Sequence, residues 1–164
     1  MGIRIQVGDV FEIPLGDGMK CYMQYVGKDA TQLYSEVIRV FKKKYAESEC
    51  IKVEDVVLGE ISFYIHVLSV KSGVDTGLWN RVGNNKSLTG INPLFKSPND
   101  IETKKIVERW HVWEINKPWK DVTSPSKLLE ESFMGSIVFN CISVVEKIKT
   151  GSFSFHNPKY PGEK

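Results

Sequence analysis

Asp17-Gly18 stands between two extended apolar runs, "VFEIPL" at residues 10–15 and "KCYMQYV" at residues 20–26. No other feature restricts the fold as strongly. An Asp-Gly pair supplies the backbone conformation of a tight hairpin turn, and Pro14 stops the first run from continuing as a helix. Gly8-Asp9 opens the first run, and a second turn at 27–29 leads into residues 31–41, rich in Leu, Tyr, Val and Ile. The opening third therefore reads as a meander of short antiparallel strands. A meander must bury its apolar face against something, so the rest of the chain is read for what covers it.

Residues 61–70, "ISFYIHVLSV", are β-branched and aromatic and predict a central strand bounded by Gly59 and Gly73. Residues 104–116, "KKIVERWHVWEIN", return to period two and end before Pro118. Between them, 84–100 is dominated by turn residues, and 42–50, "KKKYAESEC", reads as a solvated charged connection or edge. Helical signals are few. Residues 53–58 fit a short strand or a helical turn equally. Residues 124–133 predict one or two turns with Ser124 as cap and Pro125 at the first position. The clearest is "SVVEKIKTG" at 143–151, with Ser143 and Glu146 spaced as a capping box and Gly151 as terminator. The expected architecture is mainly β (α+β): a strongly bent antiparallel sheet or partly open SH3-like barrel with one or two short helices.

At 164 residues and 41% hydrophobic content the chain can bury a core without disulfide or metal staples. We expect a single compact domain over 1–157 and a flexible tail over 158–164, beginning at Pro158. Lys plus Arg number 22 against 20 Asp plus Glu, so the formal charge of +2 argues for no particular polyanion. Cys21, Cys50 and Cys141 show no CxxC spacing and fit unpaired thiols in a reducing compartment. The start lacks a signal-peptide core, and no apolar run reaches membrane-spanning length; a cytoplasmic protein without a membrane role is expected.

Residues 72–85, "SGVDTGLWNRVGNN", look at first like a ligand-cradling loop. Gly73, Gly77 and Gly83 have neither GxGxxG nor P-loop spacing, and they read better as turn residues leaving the preceding strand. Trp79 is either a plug that pins the loop to the core or an exposed anchor, with the plug favoured because a glycine-rich connection needs something large to fasten it. His66, His111 and His156 lack metal-ligand spacing, and His66 reads as a partly buried or edge strand histidine. No cysteine or serine stands in a nucleophile motif, and the adjacent carboxylates Glu54-Asp55 and Glu130-Glu131 point apart along the chain. No catalytic residue, metal, cofactor or small-molecule substrate is inferred.

Residues 8–26, "GDVFEIPLGDGMKCYMQYV", followed by a long middle strand, residues 67–84 and "NPLFK", resemble the immunity protein 26 family of bacterial polymorphic toxin systems. Its opening Gly-Asp, apolar run with Ile-Pro-Leu, and glycine turn match Gly8, Asp9, residues 10–15 with Pro14, and Asp17-Gly18. Its middle motif matches Lys71, Ser72, Gly73, Trp79 and Gly83, with extra residues between Gly73 and Trp79. The resemblance spans about residues 5–97, extending on one reading to the 143–151 helix. It implies a non-enzymatic cytoplasmic protein that binds and neutralises a cognate protein toxin.

A competing reading comes from charge. Residues 61–124 carry 9 basic and 6 acidic side chains, and Lys104, Lys105 and Arg109 lie near Trp110, Trp113 and Trp119. Such interleaving can form a stacking groove for single-stranded nucleic acid on a small barrel. A strand whose indoles pack in the core is the favoured alternative, which makes nucleic acid the weaker partner. A structural or interaction domain of other purpose is the third reading. Trp79, Arg81, Lys104, Lys105 and Arg109 are the candidate partner-binding or family-motif residues, and Gly8, Asp9, Pro14, Asp17, Gly18, Gly73, Gly77 and Gly83 the turn and fold motif.

Overall fold

The computed structural model describes residues 2–88, 91–99, 105–154 and 157–164. The meander forms where the turn chemistry places it. β1 (Asp9–Pro14) pairs antiparallel with β2 (Met19–Asp29), and β2 pairs with β3 (Ser35–Phe41). Gly16 and Gly18 take φ of +80° and +79° in the first turn, and the Asp17 carboxylate accepts the Met19 N–H at 3.1 Å. A short β4 (Tyr45–Ala46) from the charged connection pairs with the start of β2.

Helix α1 (Val53–Val57) resolves the ambiguous segment as helical, and β5 (Ile61–Val67) pairs with β3. The strand stops three residues short of its expected end, because Ser69 caps a helix, α2 (Val70–Asp75), by accepting the Ser72 N–H. After it, β6 (Asn80–Asn84) lies on the free side of β1. Irregularities in register between Val10 and Phe11, Tyr25 and Gly27, and Val40 and Phe41 bend the strands.

The second sheet contains β7 (Leu94–Pro98), β8 (Arg109–Glu114) and β9 (Lys120–Thr123), antiparallel in that order. After α3 (Lys127–Glu130) the stretch 133–139 stitches the two sheets. Its β10 (Phe133–Met134) runs parallel to β7, and its β11 (Val138–Phe139) runs parallel to β5. The first sheet thus has the order β11-β5-β3-β2-β1-β6, the second β10-β7-β8-β9. Both are open and bent; neither closes into the SH3-like barrel.

The chain ends its regular structure in α4 (Cys141–Thr150). Four helices, rather than one or two, occur among the described residues. Gly151 terminates α4 at φ +74° as expected, but its cap is Asn140, which accepts the Ser143 N–H at 2.9 Å; Ser143 lies inside the helix. Likewise Ser126 caps α3, not Ser124, and Ser124 and Pro125 precede it. Residues 158–164, read from sequence as a flexible tail, contact the second sheet. Val107 N–H donates to the Lys159 carbonyl at 2.8 Å, and Glu163 meets Lys96 at 2.8 Å.

Both faces of the first sheet are packed: one is apolar, and the other mixes Val10, Tyr22 and Phe41 with the buried polar side chains Gln24 and Arg39. Phe11, Ile13, Met23, Ile38, Val40 and Ile65 pack with Trp79, Phe139 and Val144 beneath α2 and α4. Val10, Tyr22, Phe41 and Tyr45 pack with Val56 of α1. Trp110, Val112, Leu129 and Met134 form the core of the second sheet, and Val37 meets Phe95 and Trp113 where the two sheets join.

Candidate functional site

The two glycine-bearing motifs, far apart in sequence, come together at the pairing of β1 with β6, where Asp9 faces Asn84 and Val10 faces Gly83. Gly8 takes φ +91°, and a Cβ there would lie 2.7 Å from the Asn85 carbonyl oxygen. Asp9 is fully buried. Its carboxylate accepts the Gln6 N–H at 2.9 Å and the Asn84 amide at 2.8 Å, and lies 2.8 Å from Arg81 Nε. Gln24 extends the network: its amide donates to the carbonyls of Gly8 and Asn85, and its oxygen accepts from Arg39 at 2.8 and 2.6 Å. Gly83 leaves room for Val53 of α1, since a Cβ would come within 2.7 Å of its methyl. These residues fix the register of an edge strand; they present no reacting group.

Trp79 is fully buried, and its indole N–H donates to the Val70 carbonyl at 2.9 Å. Gly73, in α2, lies flat on that indole, and a Cβ there would sit 2.0 Å from its ring carbons. This glycine therefore serves close approach of helix to ring, not a turn. Gly77, at φ +73°, does end the helix in a turn.

The second buried acid, Asp29, joins the sheets. One carboxylate oxygen accepts the Trp113 indole N–H at 2.9 Å and lies 3.1 Å from His66 Nε2; the other accepts from Thr31 and the Asn116 N–H. His66 is fully buried, not at an edge, and stacks 4.1 Å from Phe95. Because a carboxylate only accepts, Nε2 carries the proton, and Nδ1 has no partner among the described residues. Burial pushes His66 below the ordinary histidine range against the opposing pull of Asp29. Burial would raise Asp29, but its hydrogen bonds from Trp113 and His66 outweigh that and hold it below the usual carboxylate range. The one hydroxyl in contact with this dyad among the described residues, that of Thr31, donates to Asp29 as part of the local turn, and both side chains of the dyad are shut off from solvent; it is a joint between layers.

On the surface, Arg109 and Lys105 are exposed at the start of the second sheet, and Lys104 lies outside the described residues. Arg81 remains about a third exposed beside Asp9. Of the three indoles that a stacking groove would use, Trp110 and Trp113 are buried, leaving Trp119 exposed against His111 at 5.0 Å. A groove of about 360 Å³ runs along this sheet between Leu94, Val112, Pro118, Lys120 and Leu128.

Compared with known families, the chain matches the model of immunity protein 26 over residues 6–106. That is well over half of the chain. The protein belongs to the immunity protein 26 family. No curated protein and no solved structure matches it. The matched region holds the Asp9 network, Trp79, Asp29 and His66, whereas β8, β9, α3, β10, β11 and α4 follow it. Among the described residues no helix is long and apolar enough to cross a membrane.

Sequence reasoning missed Gln24, Asp29 and Arg39, and it read His66 as a partly buried or edge histidine without a partner. A signal existed for Gln24, Arg39 and His66, each polar within an apolar run, and Gln24 faces Arg39 across the β2–β3 register; Asp29 ends its strand after Gly27-Lys28 and gave no such signal. Period-two reading finds such residues, but only strand pairing reveals their partners.

Proposed function

We propose that this immunity protein 26 family member binds a cognate bacterial toxin in the cytoplasm and neutralises it without catalysis. The family match over residues 6–106 carries this reading. The site chemistry is consistent with it: the buried acids are spent on strand register and on joining the sheets. Burial of Trp110 and Trp113 weakens the competing nucleic-acid reading, because a single-strand groove needs its rings exposed. Trp79 is itself buried, whereas Arg81, Lys105 and Arg109 lie on accessible surface.

The test is co-expression with candidate toxins, beginning with any toxin gene that a survey of this gene's neighbourhood finds. Growth should be restored by this protein and not by an unrelated immunity protein, and the pair should co-elute from a sizing column. Toxicity unchanged by an abundant, folded protein would overturn the reading.

A further inference from the structure

Three lysines are buried among the described residues: Lys20, Lys96 and Lys147. Two have the partners that burial demands. Lys20 lies 3.0 Å from the Glu12 carboxylate and donates to the Glu47 carbonyl; Lys96 meets Glu163 at 2.8 Å and donates to the Leu129 carbonyl. The Lys147 side chain, only 8% exposed on α4, has neither an ion pair nor a hydrogen bond among the described residues. Its ammonium lies over the Phe153 ring at 3.7 Å and the Phe63 ring at 4.9 Å. Burial pushes this amine below the ordinary lysine range. Ring faces recover part of a lost hydration shell, but a desolvated cation is better satisfied by an anion.

Lys147 lines a pocket of about 180 Å³ between α4, β3 and β5. Val40, Phe41, Phe63 and Ile148 give it an apolar wall; Cys21, Ser62, Lys42 and Lys44 complete the lining. Burial raises the Cys21 thiol to about 12, so it brings no negative charge. Lys42 is committed to Glu60 at 2.8 Å, whereas Lys44 is exposed and has no ion pair among the described residues. The charged connection at 42–44 thus faces the last turn of α4 across one pocket, with two uncommitted cations and no carboxylate in the lining.

We propose that this pocket receives an aspartate or glutamate side chain of the partner toxin, with Lys147 as the buried cation and Lys44 as the exposed one. The inference rests on the toxin-binding reading and names the chemistry of the contact. The apolar wall suits the methylenes of an acidic side chain. A nucleic acid would want a track of cations along its backbone rather than one small pocket. A charge pair desolvated at the centre of an interface is the kind of contact that dominates binding.

The test uses Lys147→Met, Lys44→Ala and, as a control on the same helix, Lys149→Ala, whose side chain is exposed and does not line the pocket. Lys147→Met should weaken toxin binding by about 100-fold, Lys44→Ala by about 10-fold, and Lys149→Ala negligibly. Lys147→Met should also melt at or above the wild-type temperature, since it replaces an unpaired buried charge by an apolar chain. Full toxin affinity in Lys147→Met, or a melting point several degrees lower, would overturn the proposal and leave Lys147 a packing residue. If the wild-type protein binds no toxin, the functional reading fails separately. The pocket is then judged by titrating the protein with N-acetylglutamate and with inorganic phosphate, following the Lys147 Cε resonance by NMR. A saturable shift with N-acetylglutamate, absent in Lys147→Met, supports a carboxylate site. No shift, or stronger binding of phosphate, overturns it.

Discussion

Asp9 and Asp29 are both fully buried acids, yet they hold different things together. Asp9 works within one sheet. Its partners are a backbone N–H, the Asn84 amide and the Arg81 guanidinium, and they lock β6 onto β1. Asp29 works between layers. It sits at the end of β2 in the first sheet, accepts the ring N–H of His66 on β5, and accepts from Trp113 and Asn116 at the second sheet. The contrast shows that one residue type stabilises register when its donors come from neighbouring strands, and tertiary assembly when they come from separate sheets. It also separates the two by pH response, because only Asp29 leans on an imidazole, the side chain that titrates near neutrality.

The comparison breaks most visibly at Asp29. Asp29→Ala leaves the His66 and Trp113 N–H groups buried without an acceptor, and should cost about 3–5 kcal/mol in urea unfolding. The lost packing should appear as a change in near-ultraviolet tryptophan dichroism. Asp9→Ala should cost less, about 1–3 kcal/mol, because the Arg81 side chain can turn to water. Hydrogen exchange should quicken at β6 while β7 and β8 stay protected; equal loss in both sheets would erase the distinction drawn here.

Acid sharpens it further. His66 is held below its unfolded value, so the unfolded chain takes up the proton first, and stability falls as pH drops below about 6.5. Asp29, also held low, adds a second loss in the same direction below the ordinary carboxylate range. The His66 component can reach at most about 1.4 kcal/mol per pH unit, and His66→Gln should remove it. A flat urea midpoint between pH 7.5 and 5.5 in the wild type would contradict this joint. The smallest effect belongs to Arg81→Ala, about 1 kcal/mol or less, since its guanidinium is partly in water and Asp9 keeps two other donors.

Much of the first sheet was legible because its signals are local. Asp17-Gly18 and the flanking β-branched runs specify a hairpin whatever lies elsewhere, and Gly151 ends a helix by its own φ. The helix at Val70–Asp75 was not, because Gly73 in a helix makes sense only once Trp79 is seen against it. The caps shifted for a similar reason: Asn140 and Ser126 cap their helices because strand pairing and the Pro125 turn set where each helix begins. Of the candidate site, the motif glycines and Asp9 were visible, and their convergence on Arg81 and Asn84 was not.

By itself, then, the sequence determined the antiparallel β character, the turns and the absence of a nucleophile or phosphate-loop motif, since these depend on neighbours within a few residues. The tertiary structure decided which polar groups are buried and with whom. Asp29 with His66, Gln24 with Arg39, and Lys147 with no counter-charge among the described residues are facts of strands and helices meeting across long sequence distances. The cost of burying a charge or an amide depends on the dielectric and donors around it, and those exist only once the sheets have packed.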